Sequence, residues 1–219
     1  MKKAEVRARI EEIGIVPGIR VSTPEHARFA AETVNDAGIT IAEITMTVPG
    51  ALDVISHLAQ SLPEMVVGAG TVLDTEMARR CLDAGAKFLT SPGLVMEVVE
   101  FAAKNDVVVF PGALTPTEVI AAWKAGADFV KVFPCSQVGN HAYIRALKVP
   151  LPQVPLIASG GVNQTTAVRF IQAGATALGI GEELIPREAL QPRQEEQIRE
   201  LSRRYLTIVK HARNQRMGR

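Results

Sequence analysis

The stretch KAGADFVKVFP, residues 124–134, decides how the rest of the chain is read. Its Lys-Ala-Gly closes a run of helical periodicity, and a glycine just past such a run takes the left-handed backbone of a helix C-cap without steric penalty. The residues that follow alternate Phe and Val around a lysine, which is the pattern of a strand. Three other segments carry the same signature: DAGITIAEIT (36–45), DAGAKFLTSP (83–92) and QAGATALGIG (172–181). With Gly126, their glycines are Gly38, Gly85 and Gly174, and each segment reads as helix end, turn, strand.

Between them lie four more apolar runs, IGIVPGIRV (13–21), MVVGAGTV (65–72), VVVFPGAL (107–114) and PLIASGGV (155–162). Helical periodicity follows each, as in TPEHARFAAETVND (23–36) and TEMARRCLDA (75–84). The eight strands recur at roughly 19 to 26 residues, the length of a β/α unit, and such alternation implies a parallel sheet. Eight units close most economically into a (β/α)8 TIM barrel. An open doubly wound sheet is the alternative, but no GxGxxG follows the first strand and the polar strand residues are spread over many strands. The expected architecture is therefore one α/β domain over residues 1–219, with an extra N-terminal helix packed over the lower face of the barrel. The chain from 187 to 219 is expected to be a closing helix whose basic end, KHARNQRMGR, is a solvated terminus.

Two strands carry charge where a barrel strand should be apolar. In FVKVFP, alternation puts Phe129, Lys131 and Phe133 on one face and Val130 and Val132 on the other; if the valines meet the outer helices, the lysine points into the barrel. An amine held away from water beside aromatic rings is a candidate nucleophile toward a carbonyl, although a salt-bridged core lysine has the same pattern. In IAEIT, Ile41, Glu43 and Thr45 share the inner face. Glu43 is then a counter-ion for the lysine, a proton shuttle, or both. GAGTV, TSPGL, FPGAL and ASGGV place glycine and small hydroxyl residues at strand C-termini, the end where barrel enzymes build their sites. SGGVN, leading into a helix expected to begin near Asn163, offers backbone N–H groups to an anion.

Composition excludes several classes. A net charge of +1 from 24 basic and 23 acidic residues supplies no field to draw nucleic acid or an anionic membrane. The first 14 residues lack the apolar core of a signal peptide, and no run reaches the ~18 apolar residues of a membrane span, so a cytoplasmic setting is expected. Cys81 and Cys135 fit no metal or disulfide spacing and read as small core residues. His26, His57, His141 and His211 fall in helices or connections, are expected at the surface, and suggest no metal site.

Taken in order, Glu43 in EIT, GAGTVL, SPG, the lysine of KVFP and SGGV make the chain resemble the 2-keto-3-deoxy-6-phosphogluconate aldolase and 4-hydroxy-2-oxoglutarate aldolase family, from about Ile15 to Pro186. The resemblance implies a homotrimer of TIM barrels performing class I aldol cleavage of a 2-keto acid to pyruvate and an aldehyde, with no cofactor. It implies that Lys131 forms the Schiff base and Glu43 moves protons. Thr45, Thr71, Pro92 and Phe133 would line the keto-acid pocket, with Arg20 at the carboxylate end. Ser159, which stands where many relatives have Thr, would join Gly160 and Gly161 on the distal side.

Two positions depart from the family pattern. Many relatives have arginine where this chain has Thr47, and serine where it has Glu182. A carboxylate at Glu182 turned inward would oppose a phosphorylated tail by roughly 4 kcal/mol per charge pair at ~4 Å and an effective dielectric of about 20. Whether the aldehyde half is phosphorylated is therefore open. Two other classes compete. A phosphate-binding barrel isomerase or synthase would not need the strand lysine. A keto-acid-binding barrel without turnover would bind pyruvate but cleave nothing.

Overall fold

The computed structural model describes residues 1–191 and 193–217. Nine strands alternate with helices: α1 Lys3–Ile13, β1 Ile15–Ile19, α2 Pro24–Asp36, β2 Ile41–Thr45, α3 Ala51–Ser61, β3 Val66–Gly70, α4 Thr75–Asp83, β4 Phe88–Thr90, α5 Met96–Lys104, β5 Val108–Phe110, β6 Gly112–Ala113, α6 Pro116–Lys124, β7 Val130–Val132, α7 His141–Lys148, β8 Leu156–Ser159, α8 Ala167–Gln172, β9 Ala177–Ile180, α9 Arg187–Leu190 and α10 Glu195–Met217. The strand order is β5-β4-β3-β2-β1-β9-β8-β7-β6, with every pairing parallel. The sheet curls into a nearly closed TIM-type barrel. Its two edge strands are one stretch of chain, the expected strand VVVFPGAL, broken in two at Pro111. Proline has no N–H to give a ladder, so pairing lapses there, while its carbonyl still accepts from Lys131 N at 2.9 Å.

All four Ala-Gly signatures behave as read. Gly38, Gly85, Gly126 and Gly174 have φ of 99°, 107°, 97° and 112° after α2, α4, α6 and α8. Thr23, Asp74 and Thr115 cap the helices after β1, β3 and β6 by accepting from His26 N, Met77 N and Glu118 N.

Inside, the barrel is built in two storeys. The lower one is apolar: Val16, Ile41, Val66, Phe88, Val108, Phe110, Phe129, Ile157 and Ala177, closed from below by Val6 and Ile10 of α1. Phe88 stacks on Phe110 at 5.0 Å and Phe110 meets Phe129 edge-on at 6.2 Å. Gly68 makes room for this, since a Cβ there would meet Phe88 at 2.3 Å. The upper storey is polar. Outward residues of the same strands, among them Ala42, Ile44, Val130 and Val132, join the helices in the larger outer core, which confirms the inward direction of Glu43 and Lys131.

Three expectations need correction. The helix after SGGVN begins at Ala167 and not near Asn163, because the Asn163 side chain accepts from Thr165 N and Thr166 N and holds a turn in place of a first helical turn. The closing helix starts only at Glu195, after the separate α9. Its basic end is not merely solvated: Val209 and Ala212 are buried, and Arg213 donates to the carbonyls of Glu12, Glu11 and Thr176 at 2.6, 2.6 and 3.0 Å, tying α10 to the C-terminus of α1. Gly218 and Arg219 of that tail lie outside the described residues. Cys81 and Cys135 are buried and free, as expected. Among the described residues no helix is long and apolar enough to cross a membrane.

Candidate active site

A cavity of about 740 Å³ opens above the polar storey, at the C-terminal ends of β1, β2, β3, β4, β7, β8 and β9. All eleven candidate residues reach its wall: Arg20, Glu43, Thr45, Thr71, Pro92, Lys131, Phe133, Ser159, Gly160, Gly161 and Glu182.

At the floor, Lys131 Nζ lies 3.6 Å from Glu43 Oε2, with the two side chains only 13% and 7% exposed. That separation exceeds an ordinary hydrogen bond and leaves room for a bridging hydroxyl or water. Phe133 covers the amine, its ring centroid 5.6 Å from Nζ. Phe129, the other ring expected beside the lysine, instead belongs to the lower aromatic layer. The carboxylate is seated by glycine: a Cβ on Gly70, which pairs with Thr45 across the β2–β3 ladder, would stand 2.0 Å from Glu43 Oε1. Gly112 likewise admits the Pro92 peptide, whose carbonyl a Cβ would meet at 2.1 Å.

Beside this pair Thr45 and Thr71 line the cavity, with Thr47 behind them. Arg20 Nη1 donates to Thr47 Oγ1 at 2.8 Å and Nη2 to Thr71 Oγ1 at 3.1 Å. Thr71 has φ +62°. A β-branched residue there carries strain of about 1–3 kcal/mol, the kind of local cost that clusters at working sites.

On the far side, Gly160 and Gly161 have φ of 79° and 84° and pack so closely on Pro134 and Ser136 that a Cβ would fall 3.0 and 2.7 Å from them. Thr166 Oγ1 binds the Gly161 carbonyl at 2.9 Å. The N–H groups of Gly161 and Val162 meet no protein acceptor among the described residues. Glu182 also reaches the wall, but it is 61% exposed and its Oε1 lies 3.3 Å from Nε of Arg187. Water and a cation thus both screen it, and the repulsion of a dianion falls far below the figure for a desolvated pair.

Sequence reasoning missed part of the wall. His26, expected at the surface, is half-buried and lines the cavity, as do Ser22, Glu183, Arg187 and Gln191. His26 sits in the first turn after β1, and that position, not its residue type, is the signal that it faces the barrel mouth. His141 is also half-buried, edge-on to Phe170 at 6.5 Å, whereas His57 and His211 are exposed as expected. Cys135, close beneath Gly160, is no rival nucleophile, since burial pushes its thiol up to about 11. Among the described residues no group of three or more His, Cys, Asp or Glu is placed to hold a metal ion.

A family model described as KDPG and KHG aldolase matches residues 6–201. The KHG/KDPG aldolase of Escherichia coli K12 is 30% identical over 189 residues, covering 86% of this chain and 89% of that protein. The 2-dehydro-3-deoxy-6-phosphogalactonate aldolase of the same organism is 33% identical over 187 residues, covering 81% and 86%. Among solved structures, the KDPG aldolase from Legionella pneumophila with pyruvate captured as a covalent carbinolamine superposes with a TM-score of 0.83 at 26% identity, covering 90% of this chain and 96% of that one.

Proposed function

Because the chain belongs to the KDPG and KHG aldolase family, we propose that this aldolase works by class I chemistry, with Lys131 as the imine-forming lysine and Glu43 as the general acid and base. The observation that carries the reading is the placement of the Lys131–Glu43 pair. It lies on the floor of an open cavity, between an apolar layer below and hydroxyls above, where a sealed structural ion pair would not be.

The substrate is a 2-keto-3-deoxy or 4-hydroxy-2-oxo acid, with 2-keto-3-deoxy-6-phosphogluconate and 4-hydroxy-2-oxoglutarate as its named candidates. Its carboxylate meets Arg20 and the threonine wall of Thr45 and Thr71, and its C2 carbonyl lies over Lys131 between Pro92 and Phe133. The neutral amine adds to C2, and Glu43, directly or through water, protonates the departing hydroxyl as the carbinolamine dehydrates. The iminium then accepts electrons: the C4 hydroxyl loses its proton, the C3–C4 bond breaks, and the aldehyde leaves. The enamine that remains is protonated at C3 and hydrolysed, returning the lysine and releasing pyruvate. None of these steps calls for a metal ion or a cofactor. The reading extends to one barrel domain over residues 1–219, a homotrimer, and a cytoplasmic setting.

Borohydride reduction with pyruvate, run in EDTA, tests it. The expected product is one adduct per chain on the peptide that contains Lys131, and labelling spread over surface lysines would overturn the assignment.

The tail of the substrate contacts the far side of the cavity, formed by Ser159, Gly160, Gly161 and Glu182. Backbone N–H groups there suit a phosphate, and the screened Glu182 opposes it only weakly. Glu182→Ser is therefore expected to raise kcat/KM for the phosphorylated keto-deoxy acid several-fold and to leave the unphosphorylated one nearly unchanged. Equal values for both substrates in wild type and variant would show that the carboxylate plays no part in choosing between them.

A further inference from the structure

Thr47 does not line the cavity, yet it belongs to a chain of hydrogen bonds whose direction can be deduced. Thr45 Oγ1, which is buried, lies 3.0 Å from the Ile19 carbonyl and 3.0 Å from Thr47 Oγ1. A carbonyl only accepts, so the single Thr45 hydroxyl proton goes to Ile19. The proton between the two threonines must then come from Thr47. That leaves the Thr47 oxygen as an acceptor, and Arg20 Nη1, which can only donate, sits 2.8 Å from it. The order runs one way, from Arg20 to Thr47 to Thr45 to the β1 backbone. The second anchor of Arg20 is Thr71, which accepts from the other terminal nitrogen, Nη2, at 3.1 Å. Arg20 itself is exposed, and a long side chain on a strand end loses rotamer freedom only if something holds it.

We propose that Thr47 is a positioning residue for substrate carboxylate recognition. Its hydroxyl, locked by Thr45, fixes one Nη of Arg20 so that the remaining N–H groups of the guanidinium face the cavity as a preformed fork for the keto-acid carboxylate. With its proton committed to Thr45, Thr47 donates nothing to substrate, so it acts only through Arg20. The inference rests on the Schiff-base reading, because it assigns the carboxylate of an imine-forming keto acid to the Arg20 side.

The experiment measures the pyruvate concentration for half-maximal borohydride trapping, together with KM and kcat for cleavage. It uses the full chain carrying Thr47→Val, Thr47→Ser, Arg20→Ala and the double substitution Arg20→Ala/Thr47→Val. Thr47→Val keeps shape and β-branching and removes the acceptor. It is expected to raise both half-saturation values roughly tenfold, the scale of one charge-assisted hydrogen bond, with kcat within about twofold of wild type. Thr47→Ser restores the wild-type values. In the Arg20→Ala background Thr47→Val adds nothing, since residues acting through one another are not additive. Unchanged half-saturation in Thr47→Val, a loss confined to kcat, or an equal loss with and without Arg20 each overturns the proposal. Absence of any imine in the wild-type protein would instead overturn the Schiff-base reading itself, so the two failures are distinguishable.

Discussion

Lys131→Ala is expected to lose turnover by roughly 10⁴-fold or more while the barrel stays folded, the scale on which removal of a covalent nucleophile disables an enzyme. The loss is this large because the other groups of the site cannot stand in for the lysine. Without the imine, the electrons of the C3–C4 bond have only a neutral keto group to move to, a far poorer sink than a protonated iminium. The fold is expected to survive because the apolar layer of Phe88, Phe110 and Phe129 that fills the lower barrel is left unchanged. Deleting it also leaves Glu43 facing an open cavity, where water can reach the carboxylate. Lys131→Arg separates nucleophile from counter-ion. It retains a positive charge beside Glu43, yet a guanidinium does not form the imine. A pair that only stabilises the barrel would keep most of its activity with arginine; a Schiff-base lysine loses it with either substitution. Steady-state cleavage of 2-keto-3-deoxy-6-phosphogluconate, with thermal unfolding of each variant as the folding control, decides between them.

The frame of the barrel was legible because local rules act at short range. The Ala-Gly ends at Gly38, Gly85, Gly126 and Gly174 need only their own helix and strand to be understood. Lys131 and Glu43 stood out for the same reason: a strand repeats every two residues, so a charge on its inner face breaks a pattern visible in five residues. What stayed hidden depends on distant partners. Nothing near Arg213 in sequence announces that it will bind carbonyls at the end of α1, some 200 residues earlier. His26 and Arg187 sit on ordinary-looking helices, and only the closed ring of strands turns their ends toward one cavity. The break at Pro111 was present in the sequence but reads as a strand until the neighbours of β5 and β6 are known. The late start of α8 reflects competition between the Asn163 side chain and the backbone, which spacing alone does not resolve.

Glu43→Gln is the second large effect, and it separates the two roles the sequence left open for this carboxylate. Glutamine fills the same space between Gly18 and Gly70 and keeps a hydrogen-bonding head beside Lys131, so the fold and the keto-acid pocket are retained. It cannot carry a proton. In the proposed cycle protons move at carbinolamine dehydration, at the C4 hydroxyl and at C3 of the enamine, so a turnover loss of about a hundredfold or more is expected, the usual range for a general acid or base. Pyruvate trapping on Lys131 should still reach one adduct per chain, only more slowly, because adduct formation needs the amine and a correctly held carbonyl. A carboxylate that served only as counter-ion would behave differently. Its removal would leave the maximum rate intact, since a counter-ion 3.6 Å away holds the amine in place but does not move protons afterward. Full pH profiles of kcat for wild type and Glu43→Gln therefore give two distinct signatures, a lowered maximum or an unchanged one. A maximum within a few-fold of wild type at any pH would remove Glu43 from the proton-transfer role.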